Sequence, residues 1–76
     1  MKTAAIDLLT GPAEFAQILG SAPRLRLLGQ IAHGEHAVEQ LVELTGLSVA
    51  NTSQHLQQLR RAGFVQARRD GKRVLY

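Results

Sequence analysis

The chain has no cysteine and no tryptophan, and among its 76 residues it has only two prolines, two phenylalanines and one tyrosine. Without cysteine it can build neither a disulfide framework nor a zinc–thiolate site. So few aromatics give no stacking platform for single-stranded nucleic acid. No apolar run approaches the ~18 residues that a membrane span needs. The first nine residues hold one lysine and a short apolar patch, but Asp7 interrupts the patch and no cleavage site follows. A secretory signal is therefore not expected, and the chain is read as cytoplasmic and free of the membrane. A domain of this size buries only about 60% of the surface its unfolded chain exposes. Its core must be thin, and self-association is the obvious source of further buried area.

Acid is missing too, but only locally. Residues 1–50 carry Lys2, Arg24 and Arg26 against Asp7, Glu14, Glu35, Glu39 and Glu43, a net of −2. Residues 51–76 carry Arg60, Arg61, Arg68, Arg69, Lys72 and Arg73 against Asp70 alone, a net of +5. No acid at all occurs between Ser48 and Arg69. Such asymmetry is the electrostatic footprint of a surface that meets a polyanion. A basic face kept only for solubility fits less well, because the charge coincides with the segment that carries the strongest motif.

Punctuation divides the chain into one small domain over residues 1–76, with residues 1–11 as an N-terminal helical extension. Gly11-Pro12 opens a helix running to about Leu19, proline suiting a first turn. Gly20-Ser21-Ala22-Pro23 opens a second, in which Leu25, Leu28, Ile31 and Ala32 recur at helical spacing with Leu27 beside them. Gly34 is expected to stop it. Val38, Leu41, Val42 and Leu44 make the apolar face of a third helix, and Gly46 supplies the turn after it. Ser48 is a good N-cap for a fourth, which Gly63 closes. Phe64–Arg69 and Lys72–Tyr76 then read as two strands around Asp70-Gly71. The expected class is mainly α (α+β): a winged helix-turn-helix of four helices followed by a two-stranded β wing.

The third and fourth helices with their tight turn are how a helix-turn-helix presents a recognition helix to the major groove. Thr52, Leu56 and Leu59 form its core stripe, which fixes the rest of the wheel at 100° per residue. Ala50, Gln54, Gln57 and Arg61 then project away from the core, with Ser53 on the flank. Glutamine can pair bidentately with adenine, serine can reach bases or phosphate, and alanine can lie against a thymine methyl. Ser48 heads this set. His55 sits near the core edge, equally a packing histidine or a phosphate donor, and Asn51 shares its side. Arg60 and Arg61 complement the helix dipole as readily as they contact DNA. In the wing, Arg69, Lys72 and Arg73 crowd a short turn that no core argument requires, which points to contact with the DNA backbone or minor groove.

From Leu47 to Val65, and again from Arg68 to Tyr76, the sequence resembles the signature of the ArsR/SmtB winged-helix transcriptional repressors. Pro23–Leu28 and His33-Gly-Glu35 are similar to that family's second helix and the turn after it. The resemblance spans roughly residues 12–76, and Ser53-Gln-His-Leu56 is its most specific part. It implies a homodimer on a partly palindromic operator, with an effector of unknown identity that releases or remodels the complex. Members that sense soft metals carry cysteines on the helix occupied here by Ala37–Leu44, and redox-sensing members use cysteine pairs; this chain has neither. The family normally continues past the wing into a C-terminal helix, so either a form shortened after the wing or the ordered part of something longer is expected.

The sequence therefore predicts a duplex-DNA-binding regulator, most simply a dimeric repressor. Its recognition helix lies at about residues 48–62 and its wing at about 64–76. The alternative is a winged helix used for protein–protein or RNA contact. No enzyme is expected, since neither a phosphate loop nor a nucleophile elbow is present. No cofactor or metal is expected either: His33-x-x-His36 lacks a third ligand, and Gly34 breaks the helix between the two rings.

Overall fold

The computed structural model describes residues 11–76. Apart from Gly11, the N-terminal extension lies outside the described residues. The order of elements is α1 (Gly11–Leu19), α2 (Ala22–Ile31), α3 (Val38–Thr45), α4 (Val49–Arg61), β1 (Arg68–Asp70) and β2 (Arg73–Leu75). This is the expected architecture of four helices and a two-stranded wing.

Local chemistry explains the boundaries. Ser21 caps α2, its hydroxyl accepting from the Arg24 N–H at 3.3 Å, and Pro23 sits in the first turn. Ahead of α3, the Ala37 N–H donates to Gln40 Oε1 at 2.8 Å, half of a capping box. Gly46, at φ 76°, stops α3 in the left-handed region that a side chain would strain. Two residues later Ser48 caps α4, its Oγ accepting from the Asn51 N–H at 3.0 Å. Gly63 (φ 85°) ends α4 in a Schellman motif: its N–H reaches Arg60 O at 3.0 Å, and the Phe64 N–H reaches Leu59 O at 2.9 Å.

The core gathers Leu27, Leu41, Leu56, Leu59 and Val65, one or two from each of α2, α3, α4 and the segment after it. Thr52 is equally buried, as the stripe on α4 predicts. Three expected apolar-face positions are corrected. Ala32, just past the end of α2, is exposed. Leu25 is 49% exposed and Leu44 53% exposed. On α2 the buried arc is centred on Leu27, with Leu28 and Ile31 half-buried beside it; Leu25 lies roughly 200° away. On α3 the half-buried Val38, Val42 and Thr45 all fall to one side of Leu41 on the wheel, and Leu44 falls to the other.

The wing also differs in detail. Its strands pair Arg68 with Leu75, Arg69 with Val74 and Asp70 with Arg73. The two-residue loop is therefore Gly71-Lys72, one position later than the expected Asp70-Gly71. Gly71 has φ 65° and is the wing's only residue of positive φ, as a type II′ hairpin requires at its first central position. The first strand is shorter than expected because Phe64 and Val65 turn into the core instead of extending the ladder. A third edge was not anticipated. His36 and Tyr76 exchange both backbone hydrogen bonds at 2.8 Å, and Ala37 bridges Leu75, so the α2–α3 link is stitched to the free edge of β2. None of the described helices is long and apolar enough to cross a membrane.

Candidate nucleic-acid interface

Helix α4 shows two chemically distinct faces. Thr52, Leu56 and Leu59 are fully buried, while Ala50, Asn51, Gln54, Gln57 and Arg61 are exposed and Ser53 is half-buried on the flank. Ser48 is exposed as well; its oxygen is engaged as the cap, which leaves its proton available to a partner. The exposed positions of the neighbouring α3 include Glu39 and Glu43, as an ordinary solvated helix would have. Those of α4 include no acid.

At the wing, Arg69, Lys72 and Arg73 are exposed and none takes part in an ion pair among the described residues. Arg68 is different. Its guanidinium grips the Glu35 carboxylate through two bonds, Nη2–Oε1 at 2.7 Å and Nε–Oε2 at 2.9 Å. The hydrogen bond and charge of Arg68 hold the Glu35 carboxyl below its usual range, and Glu35 in return raises the Arg68 guanidinium. The sequence counts six cations after residue 50, but one of them is already paired inside the fold.

His55 is half-buried and lies beside a residue that the sequence reading passed over. Arg24 Nη1 is 3.3 Å from His55 Nδ1 and also donates to Gln58 Oε1. Its Nε donates to Ile18 O at 3.1 Å and its Nη2 to Gln17 O at 3.0 Å. One guanidinium thus closes the carbonyl end of α1, which has no basic residue in its own last turn, and anchors the flank of α4. A signal for this was present: Arg24 falls one turn before Leu27, on the inward side of α2, where a cation needs partners. The same residues border an open groove of about 430 Å³, lined by Gln17, Ile18, Arg24, Gln58, Arg61 and Ala62.

The other two histidines are engaged locally. His33 Nδ1 lies 2.8 Å from Gly29 O and His36 Nδ1 lies 2.8 Å from Gly34 O; since a carbonyl only accepts, each ring donates there. Among the described residues no three metal-ligating side chains come together.

With this geometry in view, the comparisons with known proteins are direct. The family of bacterial regulatory proteins of the arsR type matches residues 22–67. An HTH-type transcriptional regulator of Mycobacterium tuberculosis is 39% identical over 91% of this chain and 30% of its own length. A probable mercury resistance operon repressor from Streptomyces lividans is 42% identical over 84% of this chain and 51% of its own. The chain thus spans from 30% to 51% of the length of these relatives. Among solved structures, a homodimeric winged helix-turn-helix DNA-binding domain from Mycobacterium bovis superposes with a TM-score of 0.83 at 39% identity, covering 91% of this chain and 64% of that one. The transcriptional repressor BigR from Xylella fastidiosa gives 0.78 at 33% identity, covering 84% and 65%.

Proposed function

The chain belongs to the arsR family of bacterial regulatory proteins, and on that premise we propose that it is a duplex-DNA-binding transcriptional regulator acting as a dimeric repressor. The observation that carries this reading is the outward face of α4, which the fold leaves exposed and which carries amide, hydroxyl and cationic groups but no acid. In the proposal Gln54 and Gln57 read base edges, Ala50 meets a methyl, and Ser48, Asn51, Ser53 and His55 contact bases or phosphates along the helix. Arg69, Lys72 and Arg73 hold the backbone or minor groove beside it. The family and its structural neighbours are regulators rather than enzymes, which supports a chain without a catalytic role, working in the cytoplasm where its DNA is.

Dimerisation is supported by the homodimeric neighbour and by the apolar surface of α1. Phe15 is 42% exposed even though its ring lies 4.8 Å from that of Phe64, and Leu19 is 37% exposed. The apolar residues Ile6, Leu8 and Leu9 lie outside the described residues. A two-fold axis here would set two recognition helices about 34–36 Å apart, in successive major grooves. These residues include no cysteine, so they cannot themselves build a thiolate site for a soft metal.

A salt titration of duplex binding tests the reading. A dimer neutralising ~3–4 phosphates per protomer gives a log–log slope on the order of −5 to −7. Folded, dimeric protein without duplex affinity at low salt overturns it, and tighter binding to single strands favours the RNA alternative.

A further inference from the structure

Resting on the DNA-binding reading, we propose that Arg24 is a positioning residue for DNA binding: its contact with His55 fixes the imidazole tautomer and makes His55 Nε2–H a directed donor to a backbone phosphate. The argument begins with what a guanidinium can do. It has five N–H groups and no acceptor, so the ring nitrogen 3.3 Å from Arg24 Nη1 must accept. That nitrogen is His55 Nδ1. A neutral imidazole accepting at Nδ1 carries its proton on Nε2, at the far end of the ring.

The guanidinium is itself held. Nε and Nη2 are committed to Ile18 O and Gln17 O, and Nη1 also donates to Gln58 Oε1. Arg24 therefore cannot turn away without giving up its bonds to Ile18 O and Gln17 O, the second of which the Gly20 N–H also reaches at 3.3 Å. Its position in turn restrains the half-buried ring of His55. The ring leaves α4 on the flank shared with Asn51 and Gln58, between the buried stripe and the outward face. A groove-bound helix is flanked by phosphates on both sides, and half or more of protein–DNA hydrogen bonds go to them. A fixed donor on that flank sets how the helix sits without reading sequence. It also places the end of α1 and the phosphate-contacting flank of α4 on one guanidinium.

The test uses the full chain and has two arms. In the first, long-range proton–nitrogen NMR spectra at pH ~8, where ordinary imidazoles are neutral, report the tautomer. Wild-type His55 is expected as the Nε2–H form and Arg24→Met as a mixture. An Nδ1–H ring in the wild type, or an unchanged ring in the variant, overturns the proposal.

The second arm measures duplex affinity against salt, with folding checked for each variant. His55→Ala is expected to lose about tenfold per protomer, the scale of one hydrogen bond to a charged group. His55→Gln, whose amide nitrogen stands near the position of Nε2, should retain most of the affinity. Arg24→Met should lose about as much as His55→Ala, and the double variant no more than either. The salt slope should stay unchanged, because a neutral ring releases no counterion. A flatter slope for Arg24→Met would mean that Arg24 itself contacts phosphate, and full affinity in both single variants would remove His55 from the interface; either result overturns the proposal. Wild-type protein that binds no duplex fails the DNA-binding reading instead, and the tautomer arm tells the two failures apart.

Discussion

The two faces of α4 differ in what determines them. On the inward face Thr52, Leu56 and Leu59 have no exposed surface, and any change there is felt by α2 and α3. On the outward face Ala50, Gln54, Gln57 and Arg61 touch little of the fold, so folding leaves their identity almost free. The exposed side of α3 uses that freedom as most helices do, with Glu39 and Glu43. The exposed side of α4 does not. A residue choice that folding does not require, and that differs from the ordinary solvated pattern next door, needs a partner to explain it.

Two adjacent residues of α4 separate the faces most directly. Leu56→Ala empties a site at the centre of a thin core and is expected to destabilise by about 2–5 kcal/mol. For a small domain that is much of the folding free energy. Gln57→Ala, its neighbour on the other face, should stay within about 0.5 kcal/mol. Denaturant unfolding of both variants decides. Equal losses would mean the outward face is structural after all.

The reverse experiment reads binding instead of folding. Gln54→Ala should cost about 1–3 kcal/mol on the cognate duplex, little on others, and nothing measurable in stability. Arg73→Ala should weaken all duplexes alike and flatten the salt slope by ~1 per protomer. Competition binding against a panel of single-base variants separates the two. If both changes alter sequence preference equally, base reading has been assigned to the wrong surface.

Much of this was legible in the sequence because its signals are local. Ser48, Gly46 and Gly63 act within a few residues of themselves, and the Thr52, Leu56, Leu59 stripe follows from helical geometry alone. Contacts between distant segments were not legible. Nothing in the chain near Tyr76 announces that its backbone pairs with His36, and nothing near Arg68 announces Glu35. Arg24 joins residues in α1 and α4 that lie up to 34 positions away. Leu25 and Leu44 were misplaced for a related reason: in a short helix several leucines fit one stripe, and only the packing partner selects which. Helical geometry also predicts the exposure of Ala50, Gln54 and Gln57, whereas Ser53 and His55 are half-buried, and the support behind His55 comes from a distant helix that no local signal reveals.

Within the inward face, Thr52 differs from its neighbours. Its hydroxyl is buried and has no hydrogen-bond partner among the described residues, whereas Leu56 one turn on is purely apolar. An unsatisfied buried hydroxyl is a cost that an isostere removes. Thr52→Val is therefore expected to stabilise by about 1 kcal/mol, raising Tm by several degrees in a domain of this size. Thermal unfolding measures it. A loss of stability would show that the hydroxyl has a partner in solution, a bound water being the simplest.

The smallest expected effect concerns the two ends of the wing. At its base Arg68 is held by Glu35, while at its tip Arg69, Lys72 and Arg73 stand without a counter-charge among the described residues. The Arg68 hydrogen bond lowers the Glu35 pKa in the folded state. Its contribution to stability is thus complete above the ordinary carboxylate range and is lost as pH falls through the lowered value. Both groups are more than half exposed, so solvent and salt screen the pair and the effect is small. Unfolding followed from neutral to acid pH should show the wild type losing slightly more stability than Glu35→Gln, and less so in high salt. The same variant releases a sixth cation at the wing's base. If only the tip meets DNA, duplex affinity and salt slope are unchanged by Glu35→Gln; a steeper slope would extend the DNA-facing surface down the strand to Arg68, and the division between base and tip would fall.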